Sequence, residues 1–413
     1  MKEFIEKCWE RAYILLRMVG LPCVLGVILG LVGGLFGRSI TLVTAFRQSH
    51  PWMLYLLPLA GLGVVALYRM DPYRTSTNLV LEGVQEGKYV PLRMAPLIVV
   101  STVLTLAFGG SAGREGAALQ LGGSIGGTMG KLFRMSEYDR KLFIICSMSA
   151  AFSALFGTPL TAAIFSMEVI SVGIMHYAAL VPCAVAALVA REMAILVGAP
   201  GEHFIIRQME PWNLSNAALT VLLAILCAAV SILFCATLHY SERILKRLIP
   251  NDWLRAVWGG VMLIFLTLLL GTADYLGAGM QVVERAMEGE AHAAAFLLKI
   301  AFTAITLGAG FKGGEIVPTL FVGATFGCLF GQLVGFSPSL AAACGLAAVF
   351  CGVTNCPISS LLLSFELFGF EGMPFFLLSV GISYLESGYF GLYHSQKILY
   401  SKTRFEFINR HTK

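Results

Sequence analysis

The chain has 413 residues, 57% of them hydrophobic and only 13% charged, with a mean hydropathy of +0.79; a soluble domain carries about 25% charged residues, so that class is excluded. The net charge of +5 is modest and sits in loops and tails, which gives a nucleic-acid partner no support. Ten cysteines lie scattered through apolar runs without CxxC pairs or metal-ligand spacing; they read as small buried hydrophobes, and no metal or other cofactor is expected.

A helical membrane span needs about 20 apolar residues, whereas a barrel would show short alternating segments. The runs here are long, continuous and rich in Leu, Ala and Gly, so the chain is an all-α integral membrane protein. Residues 1–20 mix acids with bases (Lys2, Glu3, Glu6, Lys7, Glu10, Arg11), which argues against a cleavable signal peptide and for an amphipathic helix at the cytoplasmic membrane surface. Apolar runs follow at 21–47, 52–69 and 92–108. Before the third, a turn at Asp71-Pro72 leads into Arg74-Thr75-Ser76-Thr77-Asn78-Leu79, a polar cluster opening a short helix that runs to Val84. The hydroxyls and amide of Ser76, Thr77 and Asn78 are anion ligands at a helix N-terminus, or an ordinary N-cap; spacing does not separate the two.

The chain is organised around Phe108–Gly127, FGGSAGREGAALQLGGSIGG. Glycines such as Gly113 and Gly116 let the backbone approach a ligand closely, and the free N–H groups of a helix's first turn make an anion site. Arg114 is expected to hold the loop by bonding backbone carbonyls. Glu115 is either a dipole partner of its own helix or, as an ionisable group within a membrane segment, functional by default. An ionised carboxylate here competes with the anion, and protonation releases it.

Further apolar runs cover 142–156, 159–173, 176–198, 215–238, 254–275, 293–310, 316–335, 339–353, 357–370 and 373–393. Several are short and broken by Gly or Pro, the pattern of transporters whose interrupted helices form the binding site. The polar stretch 199–214, with Pro200 and Pro211, reads as a linker between two membrane repeats, 21–198 and 215–393, and 394–413 as a cytoplasmic tail. The halves match in register at Cys146/Cys344, Phe152/Phe350, Pro159/Pro357, Ser166/Ser364 and Glu168/Glu366. Upstream, Gly113-Arg114-Glu115 lies over Gly313-Gly314-Glu315, with Gly123/Gly323 and Gly127/Gly327 following. In Gly-Gly-Glu-Ile-Val-Pro (313–318), Ile316 and Val317 are placed to offer backbone N–H groups, with Pro318 in the first helical turn. Tyr393, ending the last run, is a halide donor or an interfacial aromatic. Glu168 and Glu366 are expected to bond nearby backbone N–H groups, and Lys299 and Lys312 to snorkel or pair. The basic termini place both chain ends in the cytoplasm of a multi-pass cell-membrane protein. No nucleophile–base pair is visible, so an enzyme is not supported.

On Gly113-Arg114-Glu115-Gly116, Gln120, Gly122-Gly123 and the second-half Gly-Gly-Glu-Ile-Val-Pro, the chain resembles the CLC family of anion channels and proton-coupled antiporters over about residues 20–400. The resemblance implies a homodimer with one pore per subunit, built from two inverted repeats of tilted and broken helices that hold anions at the midplane. It implies that Glu115 is the protonatable gate, that Ser76 takes the central serine position, and that Tyr393 helps close the inner side. Phe108–Ala117, with Ala117 where chloride transporters usually carry proline, is similar to the fluoride-exporting branch, as are Val90–Pro96 and the glutamate of Gly-Gly-Glu-Ile-Val-Pro. Val169 stands where chloride antiporters carry an inner proton-transfer glutamate. Two positions depart from the fluoride branch: Val317 replaces a common threonine, and Ser76 stands where one relative has methionine. With the chain ending at Lys413, the regulatory nucleotide-binding domains of larger relatives are expected to be absent.

The expectation is therefore halide/proton exchange in a lipid bilayer, with fluoride or chloride and protons as the transported partners. Desolvation and a neighbouring anion both disfavour an ionised Glu115. Fluoride hydrates strongly, so its site needs several donors; Ser76, Thr77, Asn78 and Tyr393 are the candidates. The alternatives are a chloride transporter or passive chloride channel on the same architecture and, remotely, a membrane-embedded enzyme.

Overall fold

In lipid every backbone N–H and C=O must find its partner within the protein, and a helix does so locally. The computed structural model describes residues 2–71 and 75–413. Pro72 and Arg74 of the expected turn and cluster lie outside the described residues. Among the described residues, six helical stretches are long and apolar enough to cross a membrane: Glu6–Ser49, Pro51–Arg69, Tyr177–Leu196, Leu214–Leu248, Asp252–Leu270 and Ile316–Val334.

The first half comprises α1 (Lys2–Leu15), α2 (Leu21–Ser49), α3 (Leu57–Arg69), α4 (Thr77–Glu86), α5 (Met94–Ala107), α6 (Glu115–Leu132), α7 (Glu137–Phe156), α8 (Pro159–Glu168) and α9 (Leu180–Leu196). The second comprises α10 (Leu214–Leu248), α11 (Asp252–Leu270), α12 (Met280–Met287), α13 (Ala295–Gly308), α14 (Ile316–Val334), α15 (Pro338–Thr354), α16 (Pro357–Phe368) and α17 (Met373–Glu386). The surface helix expected over 1–20 is not separate from the next element: a π-helical turn, Leu16–Gly20, joins α1 to α2 without a break. Two expected runs are shorter than read. α8 stops at Glu168, and α17 stops at Glu386, leaving Tyr393 in an irregular segment before β2. α12 was not anticipated because it is only eight residues long and Gln281, Glu284 and Arg285 interrupt its apolar positions.

Lipid is as apolar as leucine, so helices associate here through close packing and hydrogen bonds. α6 lies along α7, and α14 along α15, in equivalent pairs. Gly122 and Gly126 let α6 approach Ser147, where an added Cβ would fall 2.3 Å from the Ser147 carbonyl; Gly323 and Gly327 do the same against Gly345 and Ala341. The packing equivalence is thus Gly122/Gly323, one residue off the register that aligns Glu115 with Glu315. The slip arises because Glu115 is the first residue of α6, whereas Glu315 is the N-cap of α14.

The halves are inverted, and α8 and α16 show it. Glu366, near the end of α16, accepts from the Leu160 and Thr161 N–H groups that open α8 (2.9 and 2.7 Å). Glu168, at the end of α8, accepts from Ile358 and Ser359 N–H at the start of α16 (3.1 and 2.9 Å) and from the Ser359 hydroxyl. Each glutamate bonds the other half's helix, not its own neighbourhood. That reciprocal exchange is the arrangement of an antiparallel pair about a local twofold axis. Phe152, Phe165 and Phe350 pack ring to ring across the same junction.

A small sheet is added to the helices. β1 (Ser171–Val172) pairs in parallel with β2 (Lys397–Tyr400), which pairs antiparallel with β3 (Phe407–His411). The tail is therefore docked onto the membrane body. Gln396 donates to the Val169 and Thr354 carbonyls, and Lys402 to Asn355 Oδ1 (2.6 Å), the Tyr384 carbonyl and Ser387 Oγ.

Candidate functional site

The starts of α6 and α14 meet nearly head to head. Gly113 and Gly314 exchange two backbone hydrogen bonds (2.7 and 2.8 Å), a single antiparallel bridge between the halves. Both must be glycine: a Cβ on Gly314 would fall 2.5 Å from Gly116 N and 3.0 Å from Glu115 N, and one on Gly113 would fall 3.2 Å from Val317 N. The two helix starts thus turn their first-turn N–H groups and positive dipole ends toward one another.

Glu115 folds over the start of its own helix, whereas Glu315 reaches across to the start of α6. Glu115 Oε2 comes within 2.9 Å of where a Gly113 Cβ would stand, beside Val317; Glu315 Oε2 comes within 3.0 Å of the equivalent point on Gly116. Glu115 is 2% exposed, and its carboxylate accepts from the Arg114 N–H (3.0 Å) and Nε (3.3 Å). The Arg114 guanidinium bonds carboxylates instead of the carbonyls expected for it: Nη2 reaches Glu202 Oε1 at 3.3 Å. Glu202 comes from the stretch read as a plain linker. Nothing local in the sequence marks it, because its partner is 88 residues away.

Two cavities flank the bridge and share no lining residue. One, of about 570 Å³, is lined by Arg114, Glu115, Glu202 and Val317 together with α2 and the segment before α12. The other, of about 210 Å³, is lined by Ser76, Thr77, Asn78, Gly313, Glu315 and Tyr393 among others. Gly113, Gly116 and Ile316 sit between them at the helix starts. Among the described residues, the Tyr393-side cavity holds several buried polar atoms without a partner: Thr75 Oγ1, Gln120 Oε1, Glu315 Oε2 and Tyr393 Oη. Buried polar groups are normally bonded, so such a cluster marks a place where something else completes the bonds.

The ambiguous readings now divide. Ser76 stands at the N-cap of α4, but its hydroxyl makes no capping bond and it lines the cavity. Thr77 Oγ1 accepts from Gln120 Nε2 (3.0 Å), and Asn78 Oδ1 accepts from Ser395 N–H (3.1 Å), so Asn78 also positions the segment that carries Tyr393. Tyr393 is 2% exposed and so is not an interfacial aromatic. Glu168 and Glu366 lie outside both cavities, at the α8–α16 junction. Val169 is fully enclosed. Lys299 neither snorkels nor pairs: it is 0% exposed and donates to the Tyr275 and Gly277 carbonyls (3.3 and 2.7 Å). Lys312 lies over the Tyr68 ring, 4.5 Å from its centroid.

A family model described as voltage gated chloride channel matches residues 75–388. A Pseudomonas syringae pv. tomato protein described as a chloride/fluoride channel protein is 34% identical over 94% of this chain and 87% of its own length. A Vibrio cholerae H(+)/Cl(-) exchange transporter is 25% identical over 84% of this chain and 81% of its own. Among solved structures, a CLC-type fluoride/proton antiporter superposes with a TM-score of 0.89 at 31% identity, covering 93% of this chain and 98% of that one.

Proposed function

The chain belongs to the CLC family of halide transporters, and on that premise we propose that it is a proton-coupled antiporter that exports fluoride. The observation that carries the reading is the pair of carboxylates, Glu115 and Glu315, set back to back across the Gly113–Gly314 bridge, each opening into a separate cavity. Ionised, Glu115 occupies the anion position at the meeting helix starts. Protonated, it loses that attraction, swings toward the larger cavity and leaves the position to a halide. Alternation between the two states ties one movement to the other.

Val169 offers no acid on the inner side, and Glu315 supplies one in the smaller cavity. The proton thus has a titratable group on each side of the bridge. Hydroxyls of Ser76 and Tyr393 replace the halide's water. Fluoride is favoured over chloride by likeness to a chloride/fluoride channel protein and to a fluoride/proton antiporter. The protein works as a homodimer with one pore per subunit in the cell membrane. Both termini and the Tyr393-side cavity face the cytoplasm. Glu168 and Glu366 support the pore by holding the two halves together. No enzymatic activity is proposed.

The test is efflux from reconstituted vesicles, read with fluoride and chloride electrodes beside a pH probe. Wild-type protein moves protons against a halide gradient, and Glu115→Gln abolishes that proton movement. Undiminished halide-driven proton flux in the variant refutes the role of Glu115; halide movement without protons in the wild type makes the protein a passive channel.

A further inference from the structure

The larger cavity contains a cation that the gate does not use. Arg47, near the end of α2, is 7% exposed and lines the same cavity as Glu115. Among the described residues its side chain makes no hydrogen bond and no ion pair, and its Nε is buried without a partner. A guanidinium stays charged in any protein environment. A buried charge is ordinarily paired, and leaving one unpaired is strongly destabilising.

The surroundings deepen the anomaly. The Arg47 tip lies against Gly277, where an added Cβ would fall 3.2 Å from Nη2. The carbonyl of that same Gly277 receives the Lys299 ammonium at 2.7 Å, and Arg47 acts on Lys299 as a like charge. Two buried cations therefore bracket one peptide. Gly277 has a φ of +61°, so glycine is needed there both for its backbone and for room. The carboxylates lining the cavity are already engaged: Glu115 and Glu202 with Arg114, and Asp274 with Arg285 at 2.7 Å. Thr41, Thr44 and Gln48 add hydroxyls and an amide to the same wall.

We propose that Arg47 is the anchor of a second halide site, in the larger cavity and separate from the one at the meeting helix starts. A small monovalent anion fits because it supplies the missing negative charge without needing a carboxylate's geometry. Thr44 and Gln48 are the neighbouring donors, since the Thr41 hydroxyl already donates to the Gly37 carbonyl. The site holds a halide beside Glu115, so that an ion is at hand whenever the gate is vacant. This rests on the halide-transport reading, and its test is chosen to fail separately from that reading.

Purified protein is titrated calorimetrically with sodium fluoride and with sodium chloride, and vesicle exchange is measured over a range of halide concentrations. Arg47→Gln is expected to remove one class of binding site and to raise the half-saturating halide concentration about tenfold, with the proton-to-halide ratio unchanged. Arg47→Lys keeps a charge but loses the fork, and is expected to raise it about threefold. Unchanged titration and unchanged half-saturation in Arg47→Gln overturn the proposal. Should that variant not fold, the same unchanged values in Arg47→Lys overturn it. A wild type that binds halide but moves none leaves the Arg47 site standing and sinks the transport reading instead.

Discussion

Tyr393→Phe separates binding from folding in one substitution. The Tyr393 hydroxyl is buried and has no partner among the described residues. Removing it breaks no internal hydrogen bond, and the ring that packs beneath it is retained. Folding stability should therefore change by no more than about 0.5 kcal/mol, the range of substitutions that break nothing. Halide binding should suffer, because a hydrogen bond to a charged group contributes about 1.5–3 kcal/mol. At 1.4 kcal/mol per factor of ten, that is roughly a 10- to 140-fold weaker site. The assay pairs thermal unfolding in detergent with the halide concentration giving half-maximal exchange in vesicles. An unaltered half-saturating concentration would refute the reasoning, since the orphaned hydroxyl would then point at nothing that matters. A fall in stability of several kcal/mol would refute it differently, by revealing a bond within the fold.

Two further outcomes concern the scaffold. Glu168→Ala strands the Ser359 N–H and hydroxyl and the half-buried Ile358 N–H; at about 1–3 kcal/mol for each of the two buried Ser359 donors left bare, the cost should be roughly 2–6 kcal/mol in thermal unfolding. Glu168→Gln, which keeps one acceptor oxygen, should lose less, and equal losses in the two variants would contradict the capping role. Lys402→Met leaves Asn355 Oδ1, the Tyr384 carbonyl and Ser387 Oγ without their shared donor. Limited proteolysis should then cut the tail between β2 and β3 faster than in the wild type, while unchanged cutting would mean that the ammonium does not hold it.

Much of the protein could be read from the chain alone, and for a clear reason. Membrane residence follows from composition, because lipid tolerates few charges. The family follows from short motifs whose spacing along one helix start is local. The repeat follows from Pro and Glu recurring in register, and Glu115 stands out as an acid within an apolar run. None of these needs a contact between distant residues.

What the chain could not disclose depends on such contacts. Ser76 has the spacing of an N-cap and Tyr393 that of an interfacial aromatic; only the tertiary structure puts both on a cavity, Ser76 without a capping bond and Tyr393 buried. Glu115 and Glu315 align in the repeat, but only the closed fold shows that they line opposite cavities, with Glu315 reaching across to Gly116 while Glu115 stays on its own helix start. Glu202 reaches Arg114 from a polar linker, and Arg47 and Lys299 converge on Gly277 from two separate helices. Spacing along a chain records the chemistry available to a site. Which groups share a dehydrated volume, and which are left without a partner there, is decided when the two inverted halves close on one another.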